Sequence, residues 1–169
     1  SGDLMTSQES YQYNGAQLLH KIEKKGTNTA TVTEDNLYDR FGNITQKTIT
    51  APDLVPRITN YQYDTSGRFL TKVIDTERLE TLFANNPNNG TLESKTDAYG
   101  ITTSYTYDKW FKKLTSKNEK LNKTVSYSYK KNGFETLFTT KGDASDGSYM
   151  ETTFDDLGRK IKSGIKDVT

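Results

Sequence analysis

Apolar and aromatic positions in this chain fall on alternate residues in short runs, and polar turn-forming clusters interrupt the runs at a steady interval. The run Tyr61-Gln62-Tyr63 shows the pattern: two rings two residues apart project from one face of a strand. Asp64-Thr65-Ser66-Gly67 then reads as a type I turn with an acceptor side chain at its first position. Gly67 is predicted to adopt the left-handed conformation that lets two antiparallel strands meet with a bulge. Arg68-Phe69-Leu70 opens the returning strand, with Arg68 and Leu70 expected on one face. A whole hairpin thus fits in about ten residues.

The unit repeats. Tyr11-Gln12-Tyr13-Asn14-Gly15 is a shortened copy and Tyr38-Asp39-Arg40-Phe41-Gly42-Asn43 a full one, so Tyr13, Tyr38 and Tyr63 stand 25 residues apart. Opposite-end turns are predicted between these copies, at Lys24-Lys25-Gly26-Thr27 and at Asp53-Leu54-Val55-Pro56. In the second, Pro56 takes the place expected for glycine, which puts that connection at the rim of the sheet. Further along, a strand over 69–74 leads to the polar cluster Asp75-Thr76-Glu77-Arg78, and the Asn-rich stretch 85–90 is the strongest loop signal. Asp97-Ala98-Tyr99-Gly100 follows, and then Tyr105 and Tyr107 precede Asp108-Lys109-Trp110-Phe111, with Phe111 in glycine's place. Asn122 is expected to be left-handed. Tyr127 and Tyr129 precede Lys130-Lys131-Asn132-Gly133. The loop 143–147 and Phe154-Asp155-Asp156-Leu157-Gly158-Arg159 close the series.

A turn about every eleven residues leaves about seven for each strand, and about a dozen turns imply about thirteen or fourteen strands. Successive turns lie at opposite strand ends, so the predicted class is all-β, an antiparallel meander of consecutive hairpins. A twisted open sheet of that many strands is expected to curve or spiral as a strip. The expected organisation is a lead-in or expression scar over 1–10 and one hairpin domain over 11–169.

Composition changes this picture little. Hydrophobic content is 31% and mean hydropathy −0.85, values that lean toward disorder, yet the net charge is only +1. The 11 Tyr and 7 Phe, in a Thr-rich background, favour pleated surfaces instead. The balance of 23 basic and 22 acidic residues argues against a nucleic-acid partner. No apolar run is long enough to span a membrane as a helix. With no Cys, disulfides and thiolate metal sites are excluded.

The units at Tyr38-Asp39, Tyr63-Asp64, Tyr107-Asp108 and Phe154-Asp155, two of them closing on Gly67-Arg68 and Gly158-Arg159, carry a resemblance. The chain resembles the YD-repeat (RHS-repeat) family over about residues 11–165, with Asp97 to Asp108 close to the family's typical unit and degenerate copies at Tyr13, Tyr107 and Tyr129. The resemblance implies hairpins wound into a hollow shell, as in bacterial toxin complexes, polymorphic toxins, wall-associated proteins and teneurins. It also implies secretion or surface delivery from a bacterium, with a C-terminal effector enclosed or presented. The self-cleavage element that ends many such shells needs an Asp-Pro dipeptide, and this sequence has none.

Candidate chemistry is sparse. The structural motif residues are Tyr38, Asp39, Gly42, Tyr61, Tyr63, Asp64, Gly67, Arg68, Asp97, Gly100, Tyr105, Tyr107, Asp108, Phe154, Asp155, Gly158 and Arg159. The tyrosines read first as a cross-strand ladder, at roughly 0.2–1 kcal/mol per pair. A carbohydrate-binding or adhesive surface using Tyr105 and Trp110 is the alternative. Isolated turn aspartates fit turn capping better than Ca²⁺, which needs six to eight oxygens, so no metal and no cofactor is expected. His20 is the single histidine, and no phosphate loop or metalloprotease motif is present, so no catalytic residue is assigned and no enzyme is expected. The expected partners are the remainder of a parent shell, carbohydrate in the alternative reading, and a second copy paired through edge strands.

Overall fold

The structure, a computed structural model, describes residues 8–15, 18–25, 31–131, 138–145, 147–155, 157 and 159–166. It is all-β. Fourteen strands are described: β1 (Gln8–Tyr13), β2 (Leu19–Lys25), β3 (Thr31–Tyr38), β4 (Ile44–Thr50), β5 (Arg57–Tyr63), β6 (Leu70–Ile74) and β7 (Glu80–Asn85), then β8 (Leu92–Thr96), β9 (Thr102–Tyr107), β10 (Lys113–Asn118), β11 (Lys123–Lys131), β12 (Phe138–Ala144), β13 (Tyr149–Phe154) and β14 (Lys160–Lys166). The chain divides into two compact units, Ser1–Leu82 and Phe83–Thr169, with the division inside β7. β1 begins at Gln8, inside the stretch read from sequence as a lead-in.

In the first unit β1 to β7 pair in chain order, each strand antiparallel to the next. In the second, β8 to β14 include the same succession from β8–β9 through β13–β14. The meander of consecutive hairpins expected from the turn spacing is therefore the architecture of each unit.

Pairing sorts the side chains onto two faces. In the first unit Tyr11 faces Ile22, Ile22 faces Glu34, Glu34 faces Ile49, and farther along Tyr61 faces Val73. In the second, Tyr105 faces Ser116, Ser116 faces Val125, Tyr127 faces Gly142, and Gly142 faces Met150. On the reverse face of that unit hydroxyls pair across β8, β9 and β10, with Thr96 bonded to Thr102 at 2.9 Å and Thr106 to Thr115 at 2.6 Å. Thr-Thr pairs of this kind stabilise a sheet without apolar contact. Among the described residues no hydrophobic side chain is fully buried. These units are held by ladders, turns and half-covered rings rather than by a closed core.

Among the described residues a bulge follows the turn in five hairpins. The register slips between Gln12 and Tyr13, Leu37 and Tyr38, Gln62 and Tyr63, Lys113 and Thr115, and Thr153 and Phe154. The extra residues on the returning strands are His20, Thr45, Thr71, Leu114 and Ile161. The bulge therefore sits inside the returning strand, not at Gly67 where the sequence places it. Two of these residues close the gap themselves: the Thr45 hydroxyl donates to the Leu37 carbonyl at 3.3 Å, and that of Thr71 to Gln62 at 3.1 Å.

Two further expectations need correction. Arg68 does not open β6, which starts at Leu70; Arg68 belongs to the turn, where its Nε donates to the Ser66 hydroxyl at 3.2 Å and its guanidinium lies 4.8 Å from the centre of the Phe69 ring. The turn before β5 spans 51–54 rather than 53–56: it closes from the Leu54 amide to the Ala51 carbonyl at 3.3 Å, with Asp53 left-handed. Pro56 simply precedes β5, where its missing N–H breaks no ladder bond. Gly26, Asn132, Gly133, Asp146, Asp156 and Gly158 lie outside the described residues.

Asn122 is left-handed as expected, with φ of 51°, and Phe111, which stands in glycine's place, is left-handed as well, with φ of 61°. An L side chain in that region costs about 1–2 kcal/mol, and the Phe111 ring is largely exposed. Phe111→Gly is expected to stabilise the protein by about 0.5–1 kcal/mol after the glycine's extra unfolded-state entropy is set against the relieved strain. A urea midpoint that falls would show that the Phe111 ring contributes more than its backbone costs.

Candidate functional site

The repeated motif is a carboxylate clamp on the backbone of a turn. At Asp39, Oδ1 accepts the amides of Phe41 at 2.8 Å and Asn43 at 2.9 Å, while the Asp39 amide donates to the Asn43 carbonyl at 2.9 Å. Asp97 repeats this with Tyr99 and Ile101, Asp108 with Trp110 and Lys112, and Asp155 with Leu157 and Arg159. Asp64 closes a turn longer by one residue, taking the amides of Arg68 at 2.8 Å and Phe69 at 2.9 Å, with the Ser66 hydroxyl on its other oxygen. The residue three positions on is left-handed at Gly42, Gly67, Gly100 and Phe111. These side chains satisfy amides that the ladder cannot reach, which is why the acceptor stands first in the turn.

The same device occurs at positions the motif alone does not flag. Asn14 Oδ1 takes the Leu18 amide at 3.0 Å, Asp75 Oδ1 that of Leu79 at 2.8 Å, and Asn86 Oδ1 that of Asn88 at 3.0 Å. The acceptors at 64, 75, 86, 97 and 108 are each eleven residues after the last. That spacing of Asp or Asn is the signal that would have found Asp75 and Asn86 in the sequence.

Electrostatics follow from the hydrogen bonds. For Asp39, desolvation pushes the carboxyl up, but the bonds from the Asn43 amide and side chain, Phe41 and Gly42 outweigh it and hold it below the usual carboxylate value. The Ser66 hydroxyl and the Phe69 and Arg68 amides lower Asp64. Asp155 is lowered by the Arg159 amide and by the Arg159 side chain, whose Nε lies 2.6 Å from Oδ2.

Two turns in the first unit are also tied to each other. Asn43 Nδ2 donates both to Asp39 Oδ2 at 3.1 Å and to the Gly67 carbonyl at 2.7 Å. The Phe41 ring lies on Gly67 so closely that a Cβ there would come within 2.2 Å of it. Neither Asn43 nor Phe41 stands out in the sequence, because the contact joins turns 25 residues apart.

The tyrosines fix strand starts. Tyr38 donates to the Leu19 carbonyl at 2.6 Å, Tyr107 to Leu92 at 2.9 Å, and Tyr129 to Lys113 at 2.9 Å, in each case on the preceding strand. Desolvation raises the phenols of Tyr63, Tyr107 and Tyr129. Tyr61 and Tyr63 lie half-buried on the same face of β5. Phe154 holds the tyrosine's place in the last hairpin, paired with Lys160 across the bulge.

Tyr105 and Trp110, the residues of the sugar-binding alternative, stand in different settings. Tyr105 is half-buried in mid-strand, and the Lys113 ammonium sits 4.6 Å from its ring centre and 5.7 Å from that of Tyr127. Trp110 is 70% exposed at the tip of the Asp108 turn, with Lys109 at 5.5 Å from its ring. Lysines thus already engage both rings.

One open hollow of about 510 Å³ lies beside the Asn14 and Asp39 turns, bordered by His20, Asn36, Tyr38 and Arg40. Asn36 is 2% exposed and its Oδ1 has no partner, while its Nδ2 reaches the Leu19 carbonyl at 3.5 Å and Glu34 at 3.4 Å. His20 Nδ1 stands 3.3 Å from the Asn36 carbonyl. Among the described residues no three His, Asp or Glu side chains converge as a metal site would require, and no helix is long and apolar enough to cross a membrane. Set beside protein-family models and curated proteins, the chain matches none.

Proposed function

We propose that this chain is a non-catalytic segment of the wall of a bacterial RHS/YD-repeat protein, secreted or delivered to the cell surface, whose β-shell encloses or presents a C-terminal effector. The observation that supports it is the clamp at Asp39, Asp64, Asp97, Asp108 and Asp155, set on hairpins that follow one another in order. Such hairpins extend a sheet by repetition, each added through its own turn and ladder, and need no second layer to form. The remainder of the parent shell is the natural partner, since aromatic faces with no buried apolar side chain gain from being covered.

Electron cryomicroscopy of the full gene product tests this reading. Further hairpins paired in series, forming an enclosing wall, are the expected result. A full-length protein in which these hairpins stand alone beside an unrelated catalytic domain would contradict it.

The exposed Trp110 favours one second reading, a carbohydrate-binding or adhesive surface. Glycan-array binding that disappears in both Trp110→Ala and Tyr105→Ala is its test. The lysines on both rings place it behind the first.

A further inference from the structure

The connection from β4 to β5 departs from the clamped turns. Ala51 opens it where they carry Asp or Asn, so its first residue has no acceptor side chain to hold the backbone. Residues 52–58 are all exposed, Leu54 at 69% and Val55 at 84%. Pro52 and Pro56 have no amide to donate, and Pro56 also biases Val55 toward extended backbone. Val55 and Pro56 lead straight into β5, which begins at Arg57. Arg57 pairs with Ile49 of β4, whereas β6 meets β5 only from Asn60 onward, so the start of β5 is held in the ladder from one side. The Arg57 guanidinium has no ion pair among the described residues.

We propose that this segment is a processing site for a serine protease of trypsin-like specificity, which cuts the chain between Arg57 and Ile58. Such enzymes take their substrate as an extended strand and place the arginine in a pocket with a carboxylate at its base. Leu54, Val55 and Pro56 offer apolar side chains leading to the cut, already in solvent, and Pro56 limits the ordering cost of binding. Only the Ile49–Arg57 and Thr48–Ile58 pairs have to open, at a strand end where opening costs least. The reaction is hydrolysis. The protease serine adds to the Arg57 carbonyl carbon, the C–N bond breaks, and the nitrogen leaves with a proton as the amine of Ile58. Water then frees the Arg57 carboxylate from the serine.

The position is set apart from the other basic residues. Of Pro52, Pro56 and Pro87, Pro56 alone precedes a lysine or arginine. Arg40, Arg78 and Lys109 are also exposed, but they lie in turns closed by Asp39, Asp75 and Asp108 and cannot be drawn out straight without breaking those bonds. The proposal does not depend on the wall reading. β3 lies beyond β4 and β6 beyond β5, so hairpins added to the series extend the sheet sideways and leave this connection at the strand ends. Once cut, β4 and β5 belong to different chains, joined by their ladder and by the Asn43–Gly67 tie, and their association becomes concentration-dependent.

Thrombin, which favours proline before the arginine it cuts, is the probe. It is applied to the full chain in native buffer and to a synthetic peptide of residues 53–60. Intact-mass spectrometry is expected to show each substrate cut once, giving one piece that ends at Arg57 and one that begins at Ile58. Arg57→Gln should abolish the product, and Pro56→Ala should slow it at least about tenfold. Both side chains are exposed, so both variants should unfold in urea close to the parent midpoint. Fragmentation after several basic residues would mean that cutting follows global unfolding, which exposes all 23. That pattern, a folded chain that resists while the peptide is cut, a peptide left intact, or an unchanged rate in Pro56→Ala would each overturn the proposal.

Discussion

Gly67→Ala is expected to destabilise the protein by about 2–3 kcal/mol, more than the same change at any other turn glycine described. Two costs coincide there. Gly67 has φ of +69°, where an L side chain is strained by about 1–2 kcal/mol. A Cβ would also lie 2.2 Å from Phe41 Cδ2, so the ring must leave the position in which it covers the neighbouring turn. Gly100 isolates the first cost. Its φ is +73°, but a Cβ there meets nothing within 4 Å, and Gly100→Ala should cost only about 1 kcal/mol. Phe41 is half-exposed and can move, so Phe41→Ala should recover part of the loss in the Gly67→Ala background. Urea denaturation of the four variants gives the answer. Equal losses at Gly67 and Gly100, with no coupling to Phe41, would mean that the two turns fold independently.

The second large effect is acid sensitivity. The Asp39, Asp64 and Asp155 carboxyls are held below their usual values in the folded state, so each binds a proton more readily when the chain is unfolded. Their stabilising contribution is fully present above the unfolded value of about 3.9 and is lost as pH falls through the lower folded values. Thermal stability should be flat from pH 7 to about pH 5 and then drop steeply through about pH 4 and below. Asp64→Asn is the cleanest probe. An amide oxygen can still take the Arg68 and Phe69 amides, as Asn14 and Asn86 do in their own turns, and the Ser66 hydroxyl can accept from the new amide nitrogen. This variant should keep its melting temperature near neutral pH and show a shallower acid slope. A slope unchanged by Asp64→Asn would remove this carboxylate from the account of acid unfolding.

What the sequence reveals and what it hides divide along one physical line. Hairpins are local: an Asp or Asn acceptor, a left-handed residue three positions on, and alternating rings all fall within about ten residues. Asn122 is assigned a left-handed conformation from its spacing for that reason. The position of a bulge is not local, because Thr71 becomes an extra residue only through the register that β6 takes against β5. The turn before β5 reads from sequence as 53–56, but the Leu54–Ala51 bond, which no spacing reveals, sets it at 51–54 with Asp53 inside it. The same holds for the surface chemistry. Tyr105 and Trp110 are visible as aromatic residues in a sequence, whereas the lysine that covers Tyr105 comes from the next strand, eight residues on. The tie from Asn43 to Gly67 is more remote still, joining turns whose proximity depends on a whole intervening hairpin.

The central claim is that the recurring aspartates are backbone clamps that build hairpins, not ligands for a metal or substrate. Amide hydrogen exchange of the native chain tests it most directly. The amides of Phe41, Asn43, Arg68, Phe69, Leu79, Ile101 and Lys112, each bonded to a turn acceptor, should exchange at least about tenfold more slowly than those of Arg40 and Thr65 within the same kinds of turn. The protection of Phe41, Asn43, Arg68 and Phe69 should fall as pH drops through the lowered folded-state values of Asp39 and Asp64. Turn amides that exchange as fast as Arg40 and Thr65 at every pH would contradict it.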